Sequence, residues 1–206
     1  MRFRLILVPI VVGAVLFFFG FQDWRLALKA KVRPQSISAA QLEANGPGDN
    51  AHVNLTGVVL CEWSFVYEAS KRGGKENWRW VWVPAVAQNS AYARNLLAMP
   101  PGMEPPPPDQ VRIIIKSNKA RSEEDVHELA MNRSIHGMVI NEIESLGGEE
   151  KKLLSQSYPG IDFSRCWIVQ VNRAPAGSGQ VMGMMGGGGM LVLLGLSWFA
   201  WHAQKS

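Results

Sequence analysis

Three tryptophans that alternate along one predicted strand are the residues best suited to bind a partner. Trp78, Trp80 and Trp82 lie two residues apart, so a regular strand would project all three side chains from one face. Indole rings stack on prolines, sugars and cations. The pattern indicates either packing into a core or an aromatic platform for a ligand or partner. A third interpretation is that the prolines of residues 105–108 fold back onto this platform.

Two carboxylates on one predicted strand are the candidates for acid–base catalysis. Glu142 and Glu144 share a strand face at the end of the strand predicted over residues 134–143, and His136 belongs to that strand. Paired carboxylates can transfer protons. These three residues therefore define an alternative function, that of a membrane-tethered enzyme with a non-obvious site. The sequence identifies no further residue that would complete a pocket around them.

Two short motifs resemble known functional sequences, but each lacks a residue that the function requires. His127 and Glu128 begin a near match to the zinc-protease motif HExxH, but Met131 replaces the second histidine. The Gly-Gly-Lys run of residues 73–75 lacks the first glycine of a phosphate-binding loop. We therefore predict no catalytic constellation, no metal site and no cofactor.

The cysteine content is too low for a disulfide framework. Cys61 and Cys166 both fall in apolar, strand-like runs, and two thiols cannot form a four-ligand zinc site. Two interpretations stay open. Either both thiols are buried and free, or one disulfide joins the first and last strands, which requires an oxidising compartment.

Two apolar runs place this chain in a membrane. Residues 5–21 and 181–200 carry no charged side chain, and a helix of about 20 apolar residues crosses the hydrocarbon core of a bilayer. The first run lacks a small-residue cleavage site, so we predict an uncleaved anchor. We expect both termini to lie in the cytoplasm, which would make the central domain extracytoplasmic.

The second apolar run is rich in glycine. Gly179, Gly183 and Gly187 are four residues apart and therefore share one helix face. Bare glycine faces let membrane helices approach closely. We expect this face to pack either against the N-terminal span or against another copy of the chain, which would make a homo-oligomer.

The basic excess lies beside the predicted spans. The whole chain has 21 Lys+Arg and 17 Asp+Glu, whereas residues 34–173 alone are slightly acidic. The cluster Arg25, Lys29, Lys31 and Arg33 follows the first span directly and suits anionic lipid headgroups. Nucleic acid is not a predicted partner, because it would require the basic residues on the folded domain.

The remaining patterns predict an α+β domain dominated by strands. Alternating or β-branched runs predict strands over residues 53–60, 63–67, 78–86, 111–116, 134–143 and 166–171. Capping signals predict short helices over residues 36–46, 122–132 and 149–156, with Ser38 and Ser122 as N-caps. No regular βαβ alternation is present, so a doubly wound parallel sheet is not expected. A small OB-like β-barrel fits best, and an antiparallel sheet with helices on one face is the alternative.

These elements suggest four regions. Residues 1–24 form the first anchor, residues 25–50 a basic membrane-proximal segment with a short helix, and residues 176–206 the glycine-rich second span and tail. Residues 51–175 form the β-rich extramembrane domain, which includes a proline-rich loop at residues 100–108.

Two spans that enclose a β-rich domain resemble the layout of the Surfeit-locus cytochrome oxidase assembly proteins. The layout is also similar to that of the membrane-bound ubiquitin ligases of mitochondria, but those carry a RING domain after the second span. The tail that follows Trp201 has no cysteine, so ligase activity is not expected. The likeness covers layout and not motifs, so it implies no site residues.

The function expected from the sequence is therefore non-catalytic. We expect a membrane-anchored binding or scaffold protein that acts through its β-rich domain. Its expected partners are membrane lipids and other membrane or envelope proteins.

Overall fold

A computed structural model describes residues 2–72, 74–100, 103, 105–106, 108, 110–141 and 146–203. The chain forms two units, Met1–Lys29 with Pro175–Ser206, and Ala30–Ala174. We call the first the helix unit and the second the barrel unit. Residues 30–50, which the sequence assigns to a separate segment, belong to the barrel unit.

The protein is α+β. In chain order the helices are α1 (Arg2–Leu28), α2 (Ala39–Asn45), α3 (Ala91–Leu97), α4 (Glu123–Met131), α5 (Gly148–Ser157) and α6 (Ser178–Ala203). The strands are β1 (Gln35–Ser38), β2 (His52–Thr56), β3 (Val58–Leu60), β4 (Val66–Arg72), β5 (Lys75–Ala87), β6 (Ile113–Ser117), β7 (Ser134–Val139) and β8 (Trp167–Val171). A short 3-10 helix spans Phe163–Arg165.

The two terminal helices are long and apolar enough to cross a membrane. The qualifying stretches are Val8–Leu28, with 21 residues, and Ser178–Trp201, with 24 residues. Most of their large apolar side chains are exposed, Phe18 and Leu193 among them. This is the surface expected of helices whose surroundings are apolar rather than aqueous.

Glycines bring α1 and α6 into backbone contact. A Cβ added to Gly13 would lie 2.6 Å from the carbonyl oxygen of Gly188, and one added to Gly188 would lie 2.7 Å from that of Gly13. Gly20 lies against Met185, and Gly195 against Ile10. Early residues of α1 therefore meet late residues of α6, so the two helices run antiparallel. Small residues allow this close approach.

The strands of the barrel unit form one nearly closed, barrel-like sheet. Its order is β1-β2-β7-β8-β6-β5-β3, and β4 also pairs with β5. The pairs β1–β2 and β6–β8 are parallel, and the other pairs are antiparallel. Strand β5 pairs with β4 along its first part and with β3 along its last part, while β6 occupies its other edge.

Alternate side chains of these strands fill the interior. Because successive strand residues point to opposite faces, the β-branched runs of the sequence supply one continuous apolar lining. Fully burying one such side chain is worth about 1.5–3 kcal/mol. Ala39 and Leu42 of α2 and Val126 of α4 pack against this lining. The buried strand residues of the interior core are Val53, Leu55, Leu60, Val81, Val83, Ala85, Ala87, Ile113, Ile115, Ile135, Val139, Val169 and Val171.

The predicted architecture, an α+β barrel-like domain between two long apolar helices, is confirmed. The capping signals are also correct, since Ser38 forms a capping box with Gln41, and Ser122 forms one with Asp125. The strand predicted over residues 53–60 is not continuous, because it is divided into β2 and β3. Gly57 has a φ of 60° between β2 and β3, a conformation that glycine adopts without the strain of a Cβ.

A test of the helix contact compares two neighbouring glycines. Gly188→Leu places a side chain against the backbone of α1 and should destabilise the helix pair by about 1–3 kcal/mol, the usual range for overpacking. Gly189→Leu is the matched control, because a Cβ there meets nothing within 4 Å. Thermal unfolding of the full chain in detergent measures both. Equal melting temperatures for the two variants would contradict the contact.

Candidate functional site

A cleft in the barrel unit brings together residues from three separate segments. Its cavity volume is about 460 Å³. Helix α2 forms one wall, the end of β5 and the start of α3 form a second, and the residues before β6 form a third. The lining residues are Ala40, Glu43, Ala44, Val86, Ser90, Ala91, Tyr92, Gln110 and Arg112. Four of these residues have small apolar side chains, and the other five carry a polar or charged group.

Two of the lining residues carry opposite charges. Glu43 is half-buried on α2, and its Oε1 accepts the backbone N–H of Ala87 at 3.0 Å. Burial raises the pKa of the Glu43 carboxyl, while the Ala87 hydrogen bond and the charge of Arg112 act in the opposite direction. Arg112 is exposed. No ion pair of 4.0 Å or less joins Arg112 to a carboxylate within the described residues, so its guanidinium is available at the cleft.

The two hydroxyls of the cleft have structural roles. The Ser90 hydroxyl caps α3 by accepting the backbone N–H of Ala93 at 3.1 Å. The Tyr92 hydroxyl donates to the carbonyl oxygen of Pro106 at 2.6 Å. This bond attaches the proline-rich loop to α3 at the rim of the cleft. Of residues 105–108, position 107 lies outside the described residues, and no described contact joins the others to the tryptophans of β5.

The three tryptophans do not share one face. Opposite β4, Glu68 pairs with Trp80 and the next residue, Ala69, pairs with Trp78, so β5 carries one extra residue at this point. Such a bulge interrupts the two-residue alternation. Trp78 packs against the interior core and stacks on Tyr67 with ring centroids 4.2 Å apart. Trp80 and Trp82 lie on the other face.

Trp80 and Trp82 hold a lysine. The Lys116 Nζ atom lies 4.2 Å from the centre of the Trp80 ring and 5.4 Å from that of Trp82. Lys116 is only 5% exposed and Trp82 only 3%. A desolvated cation over an indole face is worth about 2 kcal/mol. These two rings therefore already bind a cation of the same chain, and of the two only Trp80 is partly exposed to a partner.

Both cysteines are buried and free. The Cys166 thiol donates to the carbonyl oxygen of Val111 at 3.2 Å. Burial raises the pKa of the Cys61 thiol and of the Cys166 thiol to about 12 each. At these pKa values both thiols are protonated at neutral pH. A disulfide between them in an oxidising compartment stays a prediction.

The predicted glycine face of α6 points away from α1. A Cβ added to Gly179, Gly183 or Gly187 would meet nothing within 4 Å. The contact with α1 uses Gly188 and Gly195 instead. Packing of the predicted face against another copy of the chain stays a prediction.

The predicted basic cluster is divided between the two units. Arg25 and Lys29 belong to the helix unit, whereas Lys31 and Arg33 belong to the barrel unit. The Lys31 ammonium pairs with Asp49 at 2.6 Å on the surface. An exposed pair of this kind contributes about 0–1 kcal/mol. A role of the cluster at a lipid surface stays a prediction.

The predicted acid–base group is only partly described. Glu142 and Glu144 lie outside the described residues. His136 is exposed on β7 and contacts His52, with their Nε2 atoms 3.1 Å apart.

The sequence did not indicate the residues of the cleft. Glu43, Tyr92 and Arg112 belong to three short segments that only the closed sheet brings together. One weak local signal exists, because Glu43 is the single charged residue of α2, whose other members are apolar or amide side chains.

No protein-family model, no curated protein and no solved structure matches this chain. Its function must therefore be inferred from the geometry of the cleft and the chemistry of the cleft residues.

The raised pKa of Glu43 predicts a pH-dependent stability. The folded chain holds this proton more tightly than the unfolded chain, whose ordinary value is 4.5. Protonated Glu43 therefore stabilises the folded chain fully below pH 4.5, and this stabilisation is lost as the pH rises through the raised pKa. Glu43→Gln is neutral and still accepts the Ala87 N–H. The free energy of unfolding of this variant relative to wild type should increase from about pH 4 to about pH 7.

Denaturant unfolding of the full chain in detergent at several pH values measures this difference. Glu43→Ala is the control, because it also removes the titrating carboxyl but leaves the buried Ala87 N–H without an acceptor. It should follow the same pH dependence as Glu43→Gln and be less stable than that variant by about 1–3 kcal/mol at every pH. A Gln variant that differs from wild type by the same amount at every pH would show that Glu43 is not desolvated.

Proposed function

We propose that this protein is an integral membrane protein whose barrel unit binds another membrane or envelope protein without catalysing a reaction. The observation that carries the proposal is the cleft, in which the Glu43 carboxyl and the Arg112 guanidinium face one cavity without forming an ion pair. Two helices long enough to span a bilayer support the membrane assignment. The basic residues beside them support contact with lipid headgroups.

The chemistry of the cleft favours binding over catalysis. Its two hydroxyls are engaged in a helix cap and in the attachment of the proline-rich loop. A nucleophile needs a base within hydrogen-bond reach, and neither hydroxyl is hydrogen-bonded to Glu43, the carboxyl that lines the cavity. What the cleft offers a ligand is therefore one carboxyl, one guanidinium, an exposed amide at Gln110 and small apolar walls.

These groups define the partner by its charges. A basic side chain would pair with Glu43, and an acidic side chain would pair with Arg112, whose planar guanidinium suits carboxylates. A basic group beside Glu43 would also favour its ionised form and so lower its pKa again. We infer that the occupant is an exposed loop of the partner with one basic and one acidic residue. The small walls at Ala40, Ala44 and Ala91 leave room for such a loop.

The enzyme alternative has less support. It depends on Glu142 and Glu144, which the structure does not describe, and on His136, which contacts a second histidine in place of a carboxylate. The tryptophan platform is also less favoured than the cleft, because Trp82 is buried and Trp78 is part of the interior core.

Co-purification from native membranes tests the cleft. The full chain is cross-linked in its membrane, extracted in mild detergent and analysed for attached proteins. Ala44→Trp fills the cavity and Arg112→Gln removes the guanidinium, so each should reduce the captured partner at least about tenfold, a loss of about 1.4 kcal/mol.

Two matched controls accompany these variants. Ala98→Trp adds the same indole at the exposed end of α3, and Arg133→Gln removes an exposed guanidinium outside the cleft. Capture that is unchanged in both cleft variants, or that falls equally in the controls, would reject the cleft as the binding site.

The side of the membrane is a separate part of the proposal. We propose that the barrel unit is extracytoplasmic. Ser70 is exposed on β4, whereas both natural thiols are buried. A Ser70→Cys variant in intact cells should therefore react with a membrane-impermeant maleimide, and the wild type should not. Labelling that appears only after the cells are opened would place the barrel unit in the cytoplasm.

A further inference from the structure

Two histidines that are distant in the sequence meet on the surface of the barrel unit. His52 lies on β2 and His136 on β7, and these strands pair antiparallel with Asn54 directly opposite His136. His52 is two residues from Asn54, so all three side chains belong to one face of the sheet. This face is opposite to the one that carries Val53 and Leu55 into the interior core.

The distance between the two rings suits a shared metal ion. Their Nε2 atoms are 3.1 Å apart and the ring planes are inclined by 71°. Two nitrogens bound at about 2.0–2.1 Å to one ion lie about 2.9 Å apart at a right angle and about 3.4 Å apart at the tetrahedral angle. The observed separation falls between these values.

The orientation of His52 is fixed by the backbone. Its Nδ1 atom lies 3.1 Å from the carbonyl oxygen of Lys31, which can only accept a hydrogen bond. In the neutral ring Nδ1 therefore carries the hydrogen, and the lone pair belongs to Nε2, the atom that faces His136. A metal-binding histidine usually donates its other ring N–H to a carbonyl or carboxylate in this way.

We propose that His52 and His136 form a two-histidine site for a divalent transition-metal ion. Imidazole nitrogens suit copper, zinc and nickel, and the general order of affinity places Cu²⁺ first. His52 is 3% exposed, whereas His136 is exposed, so the ion enters from the side of His136. Within the described residues no group of three or more His, Cys, Asp or Glu side chains surrounds an ion. Water completes the coordination, and Asn54, which lies directly opposite His136 on the same face, is placed to add an amide oxygen.

A direct hydrogen bond between two neutral imidazoles would give the same distance without a metal. The two explanations differ in their response to added metal. A hydrogen-bonded pair has no affinity for Cu²⁺ beyond that of single surface histidines, while the paired site binds one ion through two nitrogens. The site is independent of the cleft, because none of its residues lines that cavity.

The test is a titration with Cu²⁺. The full chain is purified in detergent with a tag that contains no histidine, and binding is followed by electron paramagnetic resonance. We expect one ion per chain with hyperfine coupling to two nitrogens, and competition by Zn²⁺. His136→Gln should weaken binding at least about tenfold. The exposed His136 side chain is not part of the interior core, so this variant should fold.

His127→Gln is the matched control, because His127 is exposed on α4 and contacts Glu62 away from the pair. It should leave the copper affinity unchanged. Circular dichroism confirms that each variant is folded. The proposal is overturned if His136→Gln binds Cu²⁺ as tightly as wild type, or if the wild type binds none below about 1 mM.

Discussion

The pairing of β5 with three different neighbours is the constraint on which the barrel unit depends. One edge of β5 pairs first with β4 and later with β3, and its other edge pairs with β6. Because β5 pairs along both edges, it connects β3 and β4 to β6 and so to the rest of the sheet around the interior core. The same strand ends at Val86, which lines the cleft, and at Ala87, whose N–H donates to Glu43.

Pro84 is tolerated within β5 because neither β3 nor β4 extends to the position opposite it. The carbonyl oxygen of Pro84 accepts the N–H of Cys61, so the backbone of Pro84 faces the edge shared by β3 and β4. The N–H that proline lacks would point to the same edge. Strand β3 ends at Leu60 and β4 begins at Val66, so Pro84 lies opposite the gap between them. The missing donor therefore removes no ladder hydrogen bond.

Local features of the fold could be predicted from the sequence, and the sites could not. Caps at Ser38 and Ser122 depend on residues three positions away, and the strands depend on runs of β-branched residues, so both follow from short windows. The bulge beside Trp78 has no comparable signal, because it is set by the register between β4 and β5. Gly188 contacts α1 and Gly187 does not, because α1 covers only one face of α6. The sequence does not show which face that is.

The cleft and the histidine pair illustrate the same limit in another way. Glu43 and Arg112 come together only because α2 and the start of β6 reach the same end of the closed sheet. His52 and His136 come together only because β2 and β7 pair in one particular register. A shift of that register by one residue would send one of the two rings to the interior face. The sequence pattern does not show which residues of β2 and β7 lie opposite each other. It does show the alternation of apolar and polar residues that stabilises the register once it has formed.

Hydrogen bonds of polar residues around His52 attach the first residues of the barrel unit to the start of β2. The buried Asn50 accepts the N–H of Lys31 at 2.8 Å and donates to the carbonyl oxygen of Arg33 at 3.0 Å. Gln35 donates to the carbonyl oxygen of Asn50 at 2.6 Å, and His52 donates to that of Lys31. The part of the basic segment that contains Lys31 and Arg33 is therefore attached to the sheet through its backbone. Since the Lys31 carbonyl also orients His52, an ion on the histidine pair would stabilise the attachment of this segment, the first part of the chain after α1.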